Sequence, residues 1–141
     1  NPEILPALAD ALGDDADVHV WGDVKPMNGP ENLKYRGPFV GFASIDGTYD
    51  VYLMTSVNEG MPNTAMEAVM AGLPVVGPDV GGLGELATMH YKGDAKAIAG
   101  AIMATVAKQA SALPLLVPAK ERVIAWRDSF ASKVHKLTLD K

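Results

Sequence analysis

Apolar residues along the chain fall either into short β-branched or aromatic runs or into longer stretches with helical spacing. The leucines of the first twelve residues recur on one helix face, which predicts a helix over Pro2–Leu12. The same spacing predicts a second helix over Ala95–Ala110. Short apolar runs predict strands at Val18–Trp21, Leu33–Arg36, Val51–Met54, Pro74–Gly77 and Thr88–Tyr91. Strands that alternate with helices predict an α/β fold with a mostly parallel sheet flanked by helices.

A strand, a tight loop and a helix follow one another in the middle of the chain. The segment Thr64–Ala71 is rich in Ala and Met, which favour helix, and Asn63 is a suitable N-cap. Gly72 suits the position after the last helical turn, and Pro74 prevents the helix from continuing. This unit places a ligand at the carboxyl end of a parallel sheet.

Weaker patterns predict the remaining elements. A short helix is expected around Phe39–Ile45. A proline-bounded apolar linker, Leu113–Pro118, precedes an amphipathic helix over Ala119–Leu137, within a C-terminal segment 118–141. That helix is expected to pack on its own domain, with contact to a partner domain or to a membrane surface as alternatives.

Two glutamates flank the predicted start of the central helix. Glu59 precedes the helix and Glu67 lies within it. Free amides at a helix start suit phosphate, and carboxylates accept hydrogen bonds from vicinal sugar or ribose hydroxyls. In outline, this is a nucleotide-sugar site.

The motifs of this region resemble the donor half of group-1 (family 4) retaining glycosyltransferases, which have the GT-B architecture. The resemblance rests on Ser56–Asn63, Glu67–Val76, Val80–Gly82 and Glu85–Leu86, and extends over roughly residues 4 to 136. The family signature is two glutamates separated by seven residues, as Glu59 and Glu67 are. The resemblance implies a Rossmann-like domain that binds a nucleoside-diphosphate sugar without a metal or other cofactor.

The resemblance also implies roles for individual residues. Glu59 corresponds to the glutamate that lies against the donor sugar, which makes it the candidate catalytic residue. Glu67 corresponds to the glutamate that holds the ribose hydroxyls. The expected donor-binding set is completed by two glycines after the next strand and by the loop between the glutamates: Gly60, Met61, Pro62, Asn63, Thr64, Gly81 and Gly82.

In the family this domain opens with one further strand, followed by a Gly-Arg and a later Lys that clamp the diphosphate. Residues 1 to 30 contain no such pair, and the first predicted element is a helix. The expectation is a single N-terminally truncated donor domain over residues 1–141. It lacks its acceptor domain and the strand at the centre of the sheet, and is expected to be inactive alone and prone to self-association through unpaired sheet edges.

Charge is distributed unevenly along the 141 residues. Residues 1 to 91 carry thirteen acidic and three basic side chains, a balance of −10, whereas residues 92 to 141 carry a balance of +5. Basic residues do not alternate with aromatic ones along any face, so nucleic-acid binding is not expected. The absence of cysteine excludes disulfides, a thiol nucleophile and thiolate metal sites. The expected location is the cytoplasm, where nucleotide sugars are found, with membrane association as an alternative.

Two motifs suggest other chemistry and are given different interpretations. Asp15-Ala16-Asp17 matches a metal-binding Asp-x-Asp, but its place between a helix and a strand favours a turn. Residues 82–87 match the dinucleotide fingerprint Gly-x-Gly-x-x-Ala, but no acidic residue follows about twenty positions later.

The preferred hypothesis is therefore the donor-binding domain of a retaining glycosyltransferase that transfers a sugar to a hydroxyl acceptor. A nucleotide-sugar epimerase or a glycan phosphorylase on the same architecture is one alternative. A non-catalytic sugar-nucleotide binding module is a second, and a nicotinamide-dependent enzyme is a third.

Overall fold

The structure, a computed structural model, describes residues 1–42 and 49–112, with side chains described as far as residue 110. The described part contains four α-helices and five short strands, with a 3-10 turn on each side of the first helix. In chain order these are Pro2–Ile4 (3-10), α1 (Leu5–Leu12), Gly13–Asp15 (3-10), β1 (Val18–Trp21), β2 (Leu33–Gly37), β3 (Tyr52–Leu53), α2 (Asn63–Met70), β4 (Val75–Pro78), α3 (Leu83–Leu86), β5 (Met89–Tyr91) and α4 (Ala95–Ala112).

All described strand pairs are parallel. β1 pairs with β2, so that Val18 lies opposite Leu33. β4 lies between β3 and β5, with Val76 opposite Leu53 on one side and Met89 on the other. Parallel strands joined by helices confirm the predicted Rossmann-like α/β fold.

The described strands form two sheets rather than one. β1–β2 is one sheet and β3–β4–β5 is the other. Both sheets contribute to one hydrophobic cluster, because Val18 of β1 and Leu53 of β3 pack against the same buried residues of α1 and α4. Those buried residues are Leu8, Leu12, Ala95, Ile98 and Ala99. One face of both sheets is therefore covered by the same pair of helices.

A second cluster lies around α2 and supports the loops at the carboxyl ends of β3 and β4. Its buried members are Met54, Ala65, Ala68, Val75 and Leu83. Phe42 and Tyr52 pack at its edge with their rings 5.4 Å apart in an edge-to-face arrangement. Because α2 buries two alanines here, its backbone can approach the sheet closely.

Asn32 ties the end of α1 to the start of the first sheet. Its side-chain amide donates to the carbonyl oxygens of Ala9, Gly13 and Ala16 at 2.9, 2.8 and 3.0 Å. The carbonyls at the end of a helix have no partner within the helix. The side chain of the residue immediately before β2 thus provides a hydrogen-bond donor both to the end of α1 and to the connection that leads to β1.

Most predicted elements are confirmed, with changes at their ends. All five strands begin within one residue of the predicted positions, and α4 begins at the predicted Ala95. The first helix opens with the 3-10 turn Pro2–Ile4, so α1 itself begins at Leu5. β3 is shorter than predicted, because only Tyr52 and Leu53 pair with β4. The single-turn helix α3 was not predicted. The short helix expected around Phe39–Ile45 does not form at Phe39–Gly41, and residues 43–45 lie outside the described residues, as do the elements expected at 113–118 and 119–137.

The prediction that Asn63 caps α2 is wrong. Pro62, with φ −76° and ψ 113°, occupies the cap position, and its carbonyl accepts from the amides of Ala65 and Met66 at 3.1 Å. The fixed φ of proline suits the approach to a helix, so the helix starts one residue earlier, at Asn63. At the other end Gly72 has φ +80°, as expected for the residue that follows a helix.

No helix in residues 1–42 or 49–112 combines the length and the apolar character needed to cross a membrane.

Candidate functional site

Glu59, Gly81 and Gly82 of the sequence motif lie in loops at one edge of the second sheet, and Glu67 lies on α2, which follows the first of these loops. Glu59 is in the loop that leads from β3 to α2, and Gly81 and Gly82 are in the loop that leaves β4. Because β3 and β4 are parallel neighbours, both loops lie at the carboxyl ends of their strands. This is the edge at which ligands bind in open α/β sheets.

The two loops are in direct backbone contact. The amide of Gly82 donates to the carbonyl of Gly60 at 2.7 Å. The α-carbon of Gly81 lies so close to Glu59 that an added Cβ would stand 1.8 Å from the Glu59 carbonyl oxygen. Gly81 also has φ +51°, a conformation that other residues rarely adopt. Glycine is therefore required at position 81 for the loops to meet.

Met61 and Pro62 complete this contact. The Met61 side chain lies on Gly82, where an added Cβ would be 2.7 Å from the methionine Cε, although half of Met61 remains exposed. Pro62 is buried, so its contribution is to the shape of the turn rather than to contact with a ligand. The structure thus brings together the predicted set from Glu59 to Thr64 with Gly81 and Gly82, and Pro62 alone points inward.

The start of α2 presents unpaired backbone donors. No side chain caps the helix, and within the described residues the amides of Asn63 and Thr64 donate to no acceptor. Asn63 is exposed and Thr64 is half-buried. Such amides, aligned with the positive end of the helix dipole, form a natural anion site.

Glu59 and Glu67 both act electrostatically on one group, the phenol of Tyr52. Burial is the main cause that raises the pKa of Tyr52; the negative charges of Glu59 and Glu67 raise it further, whereas the hydrogen bond to Thr64 opposes the change. Glu59 is half-buried in its loop and Glu67 is exposed on the second turn of α2. Both carboxylates therefore act on the tyrosine whose hydroxyl contacts the first turn of α2.

Sequence analysis did not identify Tyr52 as a site residue. Its hydroxyl donates to Thr64 Oγ1 at 2.9 Å, which connects β3 to the first turn of α2. The sequence identified Tyr52 only as an apolar strand position. No spacing rule connects a strand tyrosine with a hydroxyl twelve residues later, so this contact needed the structure.

The two motifs that suggested other chemistry have ordinary structural roles. Asp15 ends the 3-10 turn after α1, and Asp17 forms an ion pair with Lys34, with 2.7 Å between the carboxylate oxygen and Nζ. Lys34 lowers the pKa of Asp17 through this hydrogen bond. Gly82 and Gly84 belong to a single helical turn, Leu83–Leu86, instead of opening a long helix as the dinucleotide fingerprint requires. In the described part of the chain, no three His, Asp or Glu side chains are grouped so that they could hold a metal ion.

Two open concavities lie away from these loops. One, of about 380 Å³, is lined mainly by apolar residues, among them Leu73, Leu86 and Met89. The other, of about 570 Å³, lies between α1 and the start of α4 and includes Glu3, Asp10 and Asp94. Neither includes a residue of the Glu59–Thr64 loop.

Comparison with models of protein families identifies the family of this chain. A family model described as "Glycosyl transferases group 1" matches residues 3–108, which is about three quarters of the chain and includes the whole candidate site. No curated protein matches the sequence significantly.

Proposed function

The chain belongs to the group-1 glycosyltransferases, and from this premise we propose that its loops at Glu59–Thr64 and Gly81–Gly82 bind a nucleoside-diphosphate sugar. The observation that supports this most directly is the uncapped start of α2, with free amides at Asn63 and Thr64. Glu59 precedes this helix start along the chain and Glu67 follows it on the second turn. Amides suit the diphosphate, and carboxylates suit the hydroxyl groups of the sugar and the ribose.

In this proposal each glutamate binds a different part of the donor. Glu67 is exposed on α2 and accepts hydrogen bonds from the ribose hydroxyls. The backbone carbonyl of Glu59 lies against Gly81. In this proposal the Glu59 carboxylate binds the donor sugar at the reacting end. Hydrogen bonds to a charged carboxylate are worth about 1.5–3 kcal/mol each, enough to orient a sugar.

The reaction we propose is transfer of that sugar to a hydroxyl acceptor, with retention at the anomeric carbon and without a metal. The anomeric carbon–oxygen bond to the diphosphate breaks, and the acceptor oxygen forms the new bond on the same face of the sugar. In this proposal the acceptor is bound by a second domain of the GT-B architecture, and the isolated chain 1–141 does not catalyse the transfer. The open surface around Glu59 is consistent with one side of a cleft between two domains.

The division into two sheets supports a further strand between them. In a doubly wound sheet of order 3-2-1-4-5-6, the described strands correspond in sequence to positions 2 to 6, with β1 and β3 on either side of position 1. Both edges lie under the cluster shared by α1 and α4. We propose that a parallel strand between β1 and β3 joins the sheets, and that basic residues following it help to bind the diphosphate.

Substitution of the two glutamates tests the roles of Glu59 and Glu67. In the full enzyme, Glu67→Gln is expected to weaken binding of the free nucleoside diphosphate by roughly tenfold or more, since a charge-assisted hydrogen bond is lost. Glu59→Gln is expected to leave that affinity nearly unchanged but to lower turnover, because Glu59 touches only the sugar. Isothermal calorimetry with UDP, GDP and ADP, together with a transfer assay, measures both effects.

Glu85→Gln is the matched control for the change in charge. Glu85 is also an exposed glutamate near the start of a helix, but it follows Gly81 and Gly82 on α3. The Glu85→Gln variant is expected to bind the nucleoside diphosphate with wild-type affinity. Weaker binding by Glu59→Gln together with unchanged binding by Glu67→Gln would contradict the proposed division of roles.

A further inference from the structure

We propose that Tyr52 is a positioning residue that directs the Thr64 hydroxyl proton toward the diphosphate of the donor. The assignment rests on the proposed function and adds to it a residue on β3 that does not touch the donor. It is drawn from one contact, the hydrogen bond between the Tyr52 hydroxyl and Thr64 Oγ1 at 2.9 Å.

The direction of this hydrogen bond determines what Thr64 can do. A phenol is more acidic than an aliphatic alcohol, so Tyr52 donates and the Thr64 oxygen accepts. The proton of Thr64 is then available for another acceptor, and the described residues offer it none. Thr64 lies in the first turn of α2, beside its own free amide and that of Asn63. An anionic oxygen at this helix start supplies the acceptor for all three donors.

Packing keeps the phenol in place and protonated. The Tyr52 ring contacts Phe42 edge to face at 5.4 Å and lies at the edge of the cluster around α2. Burial raises the pKa of Tyr52, and the charges of Glu59 and Glu67 act in the same direction. Tyr52 therefore remains a neutral hydrogen-bond donor throughout the neutral pH range, and the carboxylates at the site reinforce this state.

The test measures binding of inorganic pyrophosphate and of UDP, GDP and ADP to the chain by calorimetry or NMR titration. Thr64→Val removes the hydroxyl and is expected to weaken binding of pyrophosphate and of the preferred nucleoside diphosphate by roughly tenfold. Tyr52→Phe is expected to weaken both by roughly fivefold, because Thr64 keeps its hydroxyl but loses its orientation. The double variant is expected to bind like Thr64→Val alone, since Tyr52 acts through Thr64. Thr64→Ser keeps the hydroxyl and is expected to retain most of the affinity.

Tyr91→Phe is the control for a purely structural effect. The Tyr91 hydroxyl donates to the backbone carbonyl of Met54 at 3.0 Å, and burial also raises its pKa. Both tyrosine variants lose one buried hydrogen bond and are expected to melt a few degrees lower. Only Tyr52→Phe is expected to weaken pyrophosphate binding, and neither is expected to change binding of the free nucleoside.

The outcomes separate this assignment from the function on which it rests. If neither the wild-type chain nor the chain extended by the proposed strand and its basic residues binds any of the four probes, the proposed function is wrong and the assignment fails with it. If the wild type binds but Tyr52→Phe binds equally well, or the effects of Tyr52→Phe and Thr64→Val simply add, the assignment alone is overturned. Equal losses of pyrophosphate affinity in Tyr52→Phe and Tyr91→Phe would also overturn the assignment, since they would show a general loss of structure.

Discussion

Gly81→Ala tests whether the two loops of the site are held together as the structure shows. The new Cβ would stand 1.8 Å from the Glu59 carbonyl oxygen, whereas real Cβ atoms stay at least 3.0 Å from such atoms. The loops would therefore have to separate by about 1.2 Å, the difference between these distances. That movement stretches the 2.7 Å hydrogen bond from Gly82 to Gly60.

Two terms set the magnitude of the effect. A non-glycine residue in the left-handed conformation costs about 1–2 kcal/mol. Loss of one backbone hydrogen bond adds about 0.5–1.5 kcal/mol. Gly81→Ala is thus expected to lower the free energy of unfolding by roughly 2–3 kcal/mol, a large part of the 5–15 kcal/mol typical of a domain. Urea denaturation followed by circular dichroism measures the change.

Two glycine controls separate the two terms. Gly13 also has a positive φ, +53°, with ψ −134°, and nothing lies within 4 Å of an added Cβ, so Gly13→Ala reports the strain of its own backbone conformation without a steric contact. Gly60 has neither a positive φ nor a neighbour within 4 Å, so Gly60→Ala is expected to leave stability almost unchanged. If Gly81→Ala is as stable as Gly60→Ala, the loops are not in contact and the reasoning about the site fails.

Two further perturbations test the framework around the site. Asn32→Ala leaves three carbonyls near the end of α1 without their shared donor. The variant is expected to lower the free energy of unfolding by roughly 1–3 kcal/mol, measured by urea denaturation. A urea midpoint equal to that of the wild type would show that water replaces the amide. A second variant carries an additional strand, followed by Arg and Lys, before Asn1. It is expected to bind the nucleoside diphosphate at least tenfold more tightly and to be a monomer in sedimentation experiments. Micromolar binding by an already monomeric chain 1–141 would contradict the strand proposal.

The sequence was sufficient to predict most of the alternation of elements because the apolar pattern is strong in the strands and in the two long helices, whereas the single-turn helix α3 has too few residues to show one. The leucine face of α1 and the β-branched run that becomes β4 could be assigned without tertiary information. The start of α2 was displaced by one residue because the rule for N-caps ranks Asn63 highly, whereas the extended backbone of Pro62 determines where the helix begins.

The site could be predicted in its membership but not in its geometry. The motif identified Gly81 and Gly82, yet the reason for glycine at position 81 is a backbone contact with a loop twenty residues earlier. The hydrogen bond from Tyr52 to Thr64 and the three contacts of Asn32 likewise join distant parts of the chain. Such contacts depend on how elements pack, which the spacing of residues along one sequence does not encode.

The division of the strands into two sheets is a consequence of the same packing. The sequence predicted a mostly parallel sheet, and every described pair is parallel. Along the chain the division falls between β2 and β3. The proposed additional strand would lie between β1 and β3, as the order of a doubly wound sheet requires. Helices α1 and α4 hold both halves through a shared cluster even though no strand pairing joins them in the described residues.

The central claim, that the loops around Glu59 and Gly81 bind a nucleoside diphosphate, is tested most directly by an NMR titration of backbone amides. With UDP, GDP or ADP, the largest shifts are predicted at Gly60–Thr64 and at Gly81 and Gly82, where free amides and the loop contact lie. Shifts confined to Gly82–Ala87 and seen only with NAD would contradict the account and favour a nicotinamide-dependent enzyme instead.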